Sequence, residues 1–144
     1  MSEGKVFRAT KEVAAALDKE EIKYNILTLK ESSAVQVKYS GDNFSTLEIL
    51  FISSDDDSDV KVRVFGFVSG VSKEKRGAVL EAINAMNDKF RYVKFTLDSD
   101  DDLNMAYDVP VSEKEVGSVA CELVARFVNI ADEAYPEFMK AIWS

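Results

Sequence analysis

The sequence predicts an α+β fold: one antiparallel sheet with helices packed against it, in the order α-β-β-β-β-α-β-β-α. Three observations carry this. Apolar residues recur at helical period in three stretches, and at period two in the segments between them. The loops between strand-like segments are short and rich in Asp, Ser and Gly, so neighbouring strands should be antiparallel hairpins. Finally, 144 residues without a low-complexity linker or an internal repeat make one domain, residues 1–144.

The first helix is expected from about Thr10 to Glu20. Thr10 is its N-cap candidate, and Val13, Ala16 and Leu17 form a short apolar stripe. From Tyr24 to Phe67 the pattern is strand-like. In Tyr24 to Lys30, Ile26, Leu27 and Leu29 do not alternate cleanly. Ala34 to Ser40 does alternate, with Val35, Val37 and Tyr39 against Gln36, Lys38 and Ser40, and the turn Gly41-Asp42-Asn43 follows. Thr46 to Ser53 is apolar on both faces near Leu50-Phe51-Ile52, which places it inside the sheet. An acidic loop at Asp55-Asp56-Asp57-Ser58-Asp59 leads into Val60 to Val68. There Gly66, between Phe65 and Phe67, marks a bulge or a close backbone approach.

Ser72 is the cap candidate for a second helix with Val79, Ile83, Met86 and Phe90 on one stripe, widened by Leu80 and Ala82. Two strands follow, Arg91 to Leu97 and Leu103 to Val109. Asp98-Ser99-Asp100-Asp101-Asp102 joins them, and Pro110 closes the second. Ser112-Glu113-Lys114-Glu115 is a capping box, with Val111 and Val116 placed for a hydrophobic staple. The third helix then carries Val116, Val119, Ala120, Leu123, Val124, Phe127 and Ile130 on one face. Pro136 should interrupt it, or start a final turn after Tyr135. The apolar tail, with Phe138, Met139, Ile142 and Trp143, needs burial on its own domain or on a partner.

Charge and composition exclude several functions. The formal net charge is -8, which repels nucleic acid and anionic membrane surfaces. There is no histidine, so the commonest general base and metal ligand are missing. The single cysteine, Cys121, rules out an internal disulfide and suits a reducing cytosol. The start Met1-Ser2-Glu3-Gly4-Lys5 lacks the apolar core of a signal peptide, and no apolar run approaches the roughly 20 residues that span a bilayer. The expected location is cytoplasmic.

The chemistry-bearing candidates are few. Asp98, Asp100 and Asp102 alternate like the start of an EF-hand. The pattern then breaks, with Leu103 in place of the turn glycine and Val109 in place of the bidentate glutamate. A solvated hairpin loop is the plainer reading, and no metal or cofactor is expected. Cys121 has no histidine to activate it and lies among apolar neighbours on a helix, the setting of an inert thiol. No phosphate-cradling glycine motif and no Gly-x-Ser-x-Gly is present. Asn84 and Asn87 either bind the second helix to the hairpin or line a binding surface, and the structural role is preferred. Phe65 and Phe67, and Phe138 and Trp143 in the tail, are interface candidates, although aromatic residues at regular spacing are more often core.

The stretch Ile83-Asn84-Ala85-Met86-Asn87 through Val109 resembles the YbjN family of bacteria. The shared features are an Asn-x-x-Asn helix end, the aromatic strand start Phe90-Arg91-Tyr92, an acidic turn, and a strand ending in Asp108-Val109-Pro110-Val111. The order of elements over nearly the whole chain is similar too. The family is described as a regulator of sensory transduction. Its fold is similar to the chaperones of type III secretion, which are small, acidic homodimers without catalytic activity. The resemblance implies protein binding and pairing, and offers no catalytic residues. The expected function is thus a non-enzymatic protein-binding or chaperone-like module. It would be a homodimer holding an unidentified protein partner on apolar patches or a sheet edge. The alternative is a small carboxylate- or metal-dependent enzyme or ligand-binding protein, which a deep pocket with convergent polar groups would favour.

Overall fold

The structure is a computed structural model that describes residues 5–44, 46–54, 59–110 and 115–144. Ser112, Glu113 and Lys114 of the capping box, its staple partner Val111, most of the acidic loop at 55–59 and the chain start at 1–4 lie outside the described residues, while Glu115 stands just before the last helix and makes no side-chain cap. The elements run α1 (Arg8–Lys19), β1 (Asn25–Thr28), β2 (Ser32–Tyr39), β3 (Leu47–Ser54), β4 (Asp59–Val68), α2 (Arg76–Lys89), β5 (Lys94–Leu97), β6 (Leu103–Pro110) and α3 (Val116–Trp143). That is the predicted order. The six strands form one sheet in the order β1-β2-β3-β4-β6-β5, with every neighbouring pair antiparallel.

Strand alternation divides this sheet into two unlike faces. Val35, Phe51, Val62 and Tyr107 stand in one register row across β2, β3, β4 and β6. They belong to the face that meets the helices. Ala9, Val13 and Leu17 of α1, Val79 and Ile83 of α2, and Leu123, Phe127 and Phe138 of α3 are buried in the same core as this face. Ala34 is the one buried apolar strand residue among those described whose register row lies on the opposite face. Apolar burial of this kind is the main favourable term in folding, so the three helices are anchored to one side of the sheet.

Gly66 carries the break in β4. Its φ is +67°, a region that costs an L-residue roughly 1–2 kcal/mol. The β4–β6 register shifts between Val64 and Val68. The shift turns Phe67 inward among Phe44, Phe95, Tyr135 and Phe138, with ring centroids 5.6–6.4 Å away. The Gly66 N–H, freed from the regular ladder, donates to Asn104 Oδ1 at 2.8 Å.

Five local expectations are corrected. Thr10 is not the N-cap: α1 starts at Arg8 after Phe7, and no side chain caps it. Thr10 is buried, and its hydroxyl lies 2.8 Å from Ser33 Oγ and 2.5 Å from Ser53 Oγ. Ser33 and Ser53 face each other in the β2–β3 register, and Ser33 Oγ also accepts the Phe7 N–H at 3.0 Å. Ser72 likewise caps nothing. Its carbonyl accepts the Lys75 N–H at 3.0 Å in a tight turn, and α2 begins only at Arg76. Leu80 is 44% exposed, so it stands outside the stripe formed by Val79, Ile83 and Met86. Tyr92 has φ +73°, which no strand tolerates, and β5 therefore starts at Lys94 rather than Arg91.

Pro136 does not interrupt the last helix, which runs unbroken for 28 residues. A proline removes the N–H that would bond to the carbonyl four residues back, here Asp132. The Asp132 carbonyl instead accepts the Asn43 side-chain amide at 3.0 Å, and Asp132 Oδ1 accepts the Asn43 backbone N–H at 2.8 Å. The turn after β2 thus supplies the bond the helix lacks. Gly41 is needed in that turn, because a Cβ there would run into the Phe44 ring and Asp132.

Candidate functional site

The side of the sheet without helices is the largest feature that core packing leaves unexplained. One register row across it reads Asn25, Gln36, Leu50, Arg63, Ala106 and Lys94. The next reads Leu27, Ala34, Ile52, Lys61 and Asp108. Its apolar positions Leu27, Leu50, Ile52 and Ala106 are only partly buried, and Arg63 and Lys61 of β4 stand among them. Phe65 extends the patch along β4 and is 60% exposed, in a residue type that normally seeks burial. Charges of both signs frame it. Lys38 and Glu48 pair at 3.6 Å, and Arg63 lies along the face with Nη1 2.7 Å from Asp108 Oδ1.

The other interface candidates separate clearly. Phe138 is fully buried, 5.0 Å from the Phe95 ring, and Phe67 is half-buried in the same aromatic cluster, so both serve the core. Trp143 is 80% exposed, beside an apolar groove of about 490 Å3 between the end of α3 and the β4–α2 linker.

The acidic hairpin loop is tied up by the protein's own donors. Asp98 Oδ1 accepts the N–H groups of Asp100 and Asp102, at 2.9 and 3.0 Å, and its Oδ2 accepts the Asn104 side chain at 2.8 Å. These bonds, with Asn104 the largest contributor, hold the Asp98 carboxyl below its ordinary acidity range. Asp101 pairs with Arg76 at the start of α2, and Asp102 accepts the Gly70 N–H at 2.9 Å. Of the three carboxylates that alternate like an EF-hand, Asp98 thus braces the hairpin from within and Asp102 latches the β4–α2 linker to it, while Asp101 holds the start of α2. Among the described residues no group of three or more Asp, Glu or Cys side chains is placed to hold a metal ion.

Asn87 has the structural role preferred for it. Its side chain accepts the Phe95 N–H at 2.7 Å and donates to the Phe95 carbonyl at 3.1 Å, which clasps the end of α2 to β5. Asn84 is exposed. Cys121 is half-buried, and burial first, then the charge of Glu20, pushes its thiol up from the ordinary cysteine range. The buried hydroxyls of Thr10, Ser33 and Ser53 escaped sequence reading, because β2 and β3 bring together residues far apart in the chain. They bond to one another and to the Phe7 N–H, and so fix α1 to the sheet.

The chain is thus an open antiparallel sheet backed on one side by three helices, with partly exposed apolar residues on the other. The YbjN family, described as "Putative bacterial sensory transduction regulator", matches residues 10–142, and the chain belongs to that family. No curated protein and no solved structure matches it. No helix among the described residues is long and apolar enough to cross a membrane.

Proposed function

We propose that this chain is a non-enzymatic regulatory module that binds protein, and that it pairs with a second copy through the helix-free face of its sheet. The observation that carries the reading is the pair Leu50 and Ile52 on β3, only partly buried, with Phe65 of β4 60% exposed, all on the sheet face that the described helices leave open. Isolated exposed apolar residues are ordinary, but a contiguous patch framed by polar groups is the mark of an interaction surface. The frame of Lys38, Lys61 and Arg63 with Glu48 and Asp108 carries both signs. A two-fold axis can therefore set cation against carboxylate from the two copies, as an isologous interface requires. The membership in a family of regulators supports a role in protein interaction. The work of such a module suits the cytosol, where its lone thiol stays reduced.

The test is the mass in solution. Leu50→Glu with Phe65→Glu should convert the pair to a monomer without loss of secondary structure. A wild-type chain that stays monomeric at high concentration would overturn the pairing.

A further inference from the structure

A second feature lies at the end of α2. Lys89, Arg91 and Arg126 line a bowl of about 390 Å3 together with Phe90, Asn129 and Ile130, with the Lys89 Nζ 5.3 Å over the Phe90 ring and no carboxylate in the lining. In a chain of net charge -8 this is a concentration of positive charge against the general field.

An ordinary explanation for Lys89 and Arg91 would be the negative end of the α2 dipole. That role is already filled. Lys94 Nζ lies 3.0 Å from the Asn87 carbonyl and 3.5 Å from that of Phe90, on the last turn of the helix. Neither Lys89 nor Arg91 has a carboxylate partner among the described residues. Arg126 is held from two sides. Its Nε lies 3.2 Å from Glu122 Oε2, and its guanidinium stacks 4.8 Å over the Tyr92 ring. Tyr92 in turn meets Tyr107 edge to face at 5.7 Å. With Nε engaged, the Nη side of the fork remains for a ligand.

The backbone is fixed as well. The Asn87 clasp on Phe95 closes the segment from 87 to 95. Within it Tyr92 is held at φ +73°, a conformation uncommon outside glycine and one that persists only where the surroundings enforce it. A rigid segment presenting two cations beside a pre-oriented arginine is the arrangement that recognises a dianionic oxyanion.

We infer that this bowl binds the phosphoryl group of a small phosphorylated molecule. The volume falls in the range of small-ligand sites, roughly 300–1,000 Å3, and Phe90 and Ile130 offer apolar wall to whatever the phosphoryl group carries. The site stands independently of pairing through the sheet.

The test is an amide NMR titration of the full chain with inorganic pyrophosphate and with adenosine monophosphate, at ionic strength held constant with sodium chloride. Saturable shifts confined to residues 89–92 and 126–130 are expected. Arg91→Gln with Arg126→Gln should weaken binding at least tenfold, while Lys11→Gln with Lys23→Gln, an equal loss of charge elsewhere, should leave it unchanged. Shifts spread evenly over all surface cations, or equal weakening by both variants, would overturn the site. Binding of a phosphoserine peptide without binding of either small probe would overturn the small-molecule assignment.

Discussion

Asn43 bonds the α3 carbonyl that Pro136 leaves without a helical donor, that of Asp132, at 3.0 Å. A proline deep in a helix ordinarily costs roughly 3 kcal/mol through the lost bond and the ring's clash with that carbonyl. Here the turn after β2 supplies a substitute donor, so the helix stays continuous and keeps Tyr135 and Phe138 over the aromatic core. Asn43→Ala should cost about 1 kcal/mol in urea unfolding, the ordinary net worth of such bonds. In a Pro136→Ala background the helix regains its own donor, and the cost of Asn43→Ala should shrink by about 0.5 kcal/mol or more. Simple additivity of the two substitutions would show that the bonds are not linked.

Gly66 should tolerate no side chain without loss. Its positive φ predicts that Gly66→Ala destabilises by about 1–2 kcal/mol, with Gly66→Asn milder because Asn accepts the left-handed region more readily. The aromatic near-ultraviolet signal should weaken as well, since the bulge aims Phe67 into the ring cluster. Unchanged stability on Gly66→Ala would show that the register shift does not depend on this residue.

Asp98 makes one contribution to stability depend on pH. Its carboxyl titrates lower in the folded chain than in the unfolded one, chiefly through the Asn104 amide. The stabilisation it brings is thus full above the ordinary carboxylate range and disappears as pH falls through the lowered folded value. Carboxyl-carbon NMR should place the Asp98 midpoint below the ordinary aspartate range. Asn104→Ala should move it upward and at the same time free the Gly66 N–H.

Cys121 should react slowly. Burial and Glu20 raise its thiol, so at neutral pH the folded chain holds less thiolate than the unfolded one. Alkylation by iodoacetamide should be several-fold slower in the native protein than in urea. Equal rates would mean that the thiol is neither buried nor perturbed.

The period of the apolar residues made the element order legible, because one amphipathic face per element is enough to reveal it. Val79, Ile83 and Met86 announce α2, and Val60, Val62 and Val64 announce β4. Long-range bonds decided the rest. Thr10 reads as a cap until β2 and β3 bring Ser33 and Ser53 to it, and Pro136 reads as a break until Asn43 arrives from 89 or more positions away. The acidic hairpin was legible as a loop, but Arg76 and Gly70 as its partners were not. The helix-free face was half visible: Leu50 and Ile52 marked β3 as apolar on both sides, while only the sheet order shows that no helix covers the outer one. The basic bowl was hidden, since Arg126 lies 35 positions beyond Arg91 and no local pattern joins them.

Light scattering on the intact chain tests the outer sheet face most directly. The wild type should show twice its 16.1 kDa chain mass at micromolar concentration. Leu50→Glu with Phe65→Glu should return it to a single chain with an unchanged far-ultraviolet spectrum. A wild type that stays at one chain mass across the concentration range, or a paired species that survives both glutamates, would contradict the assignment of that face as the surface on which two copies meet.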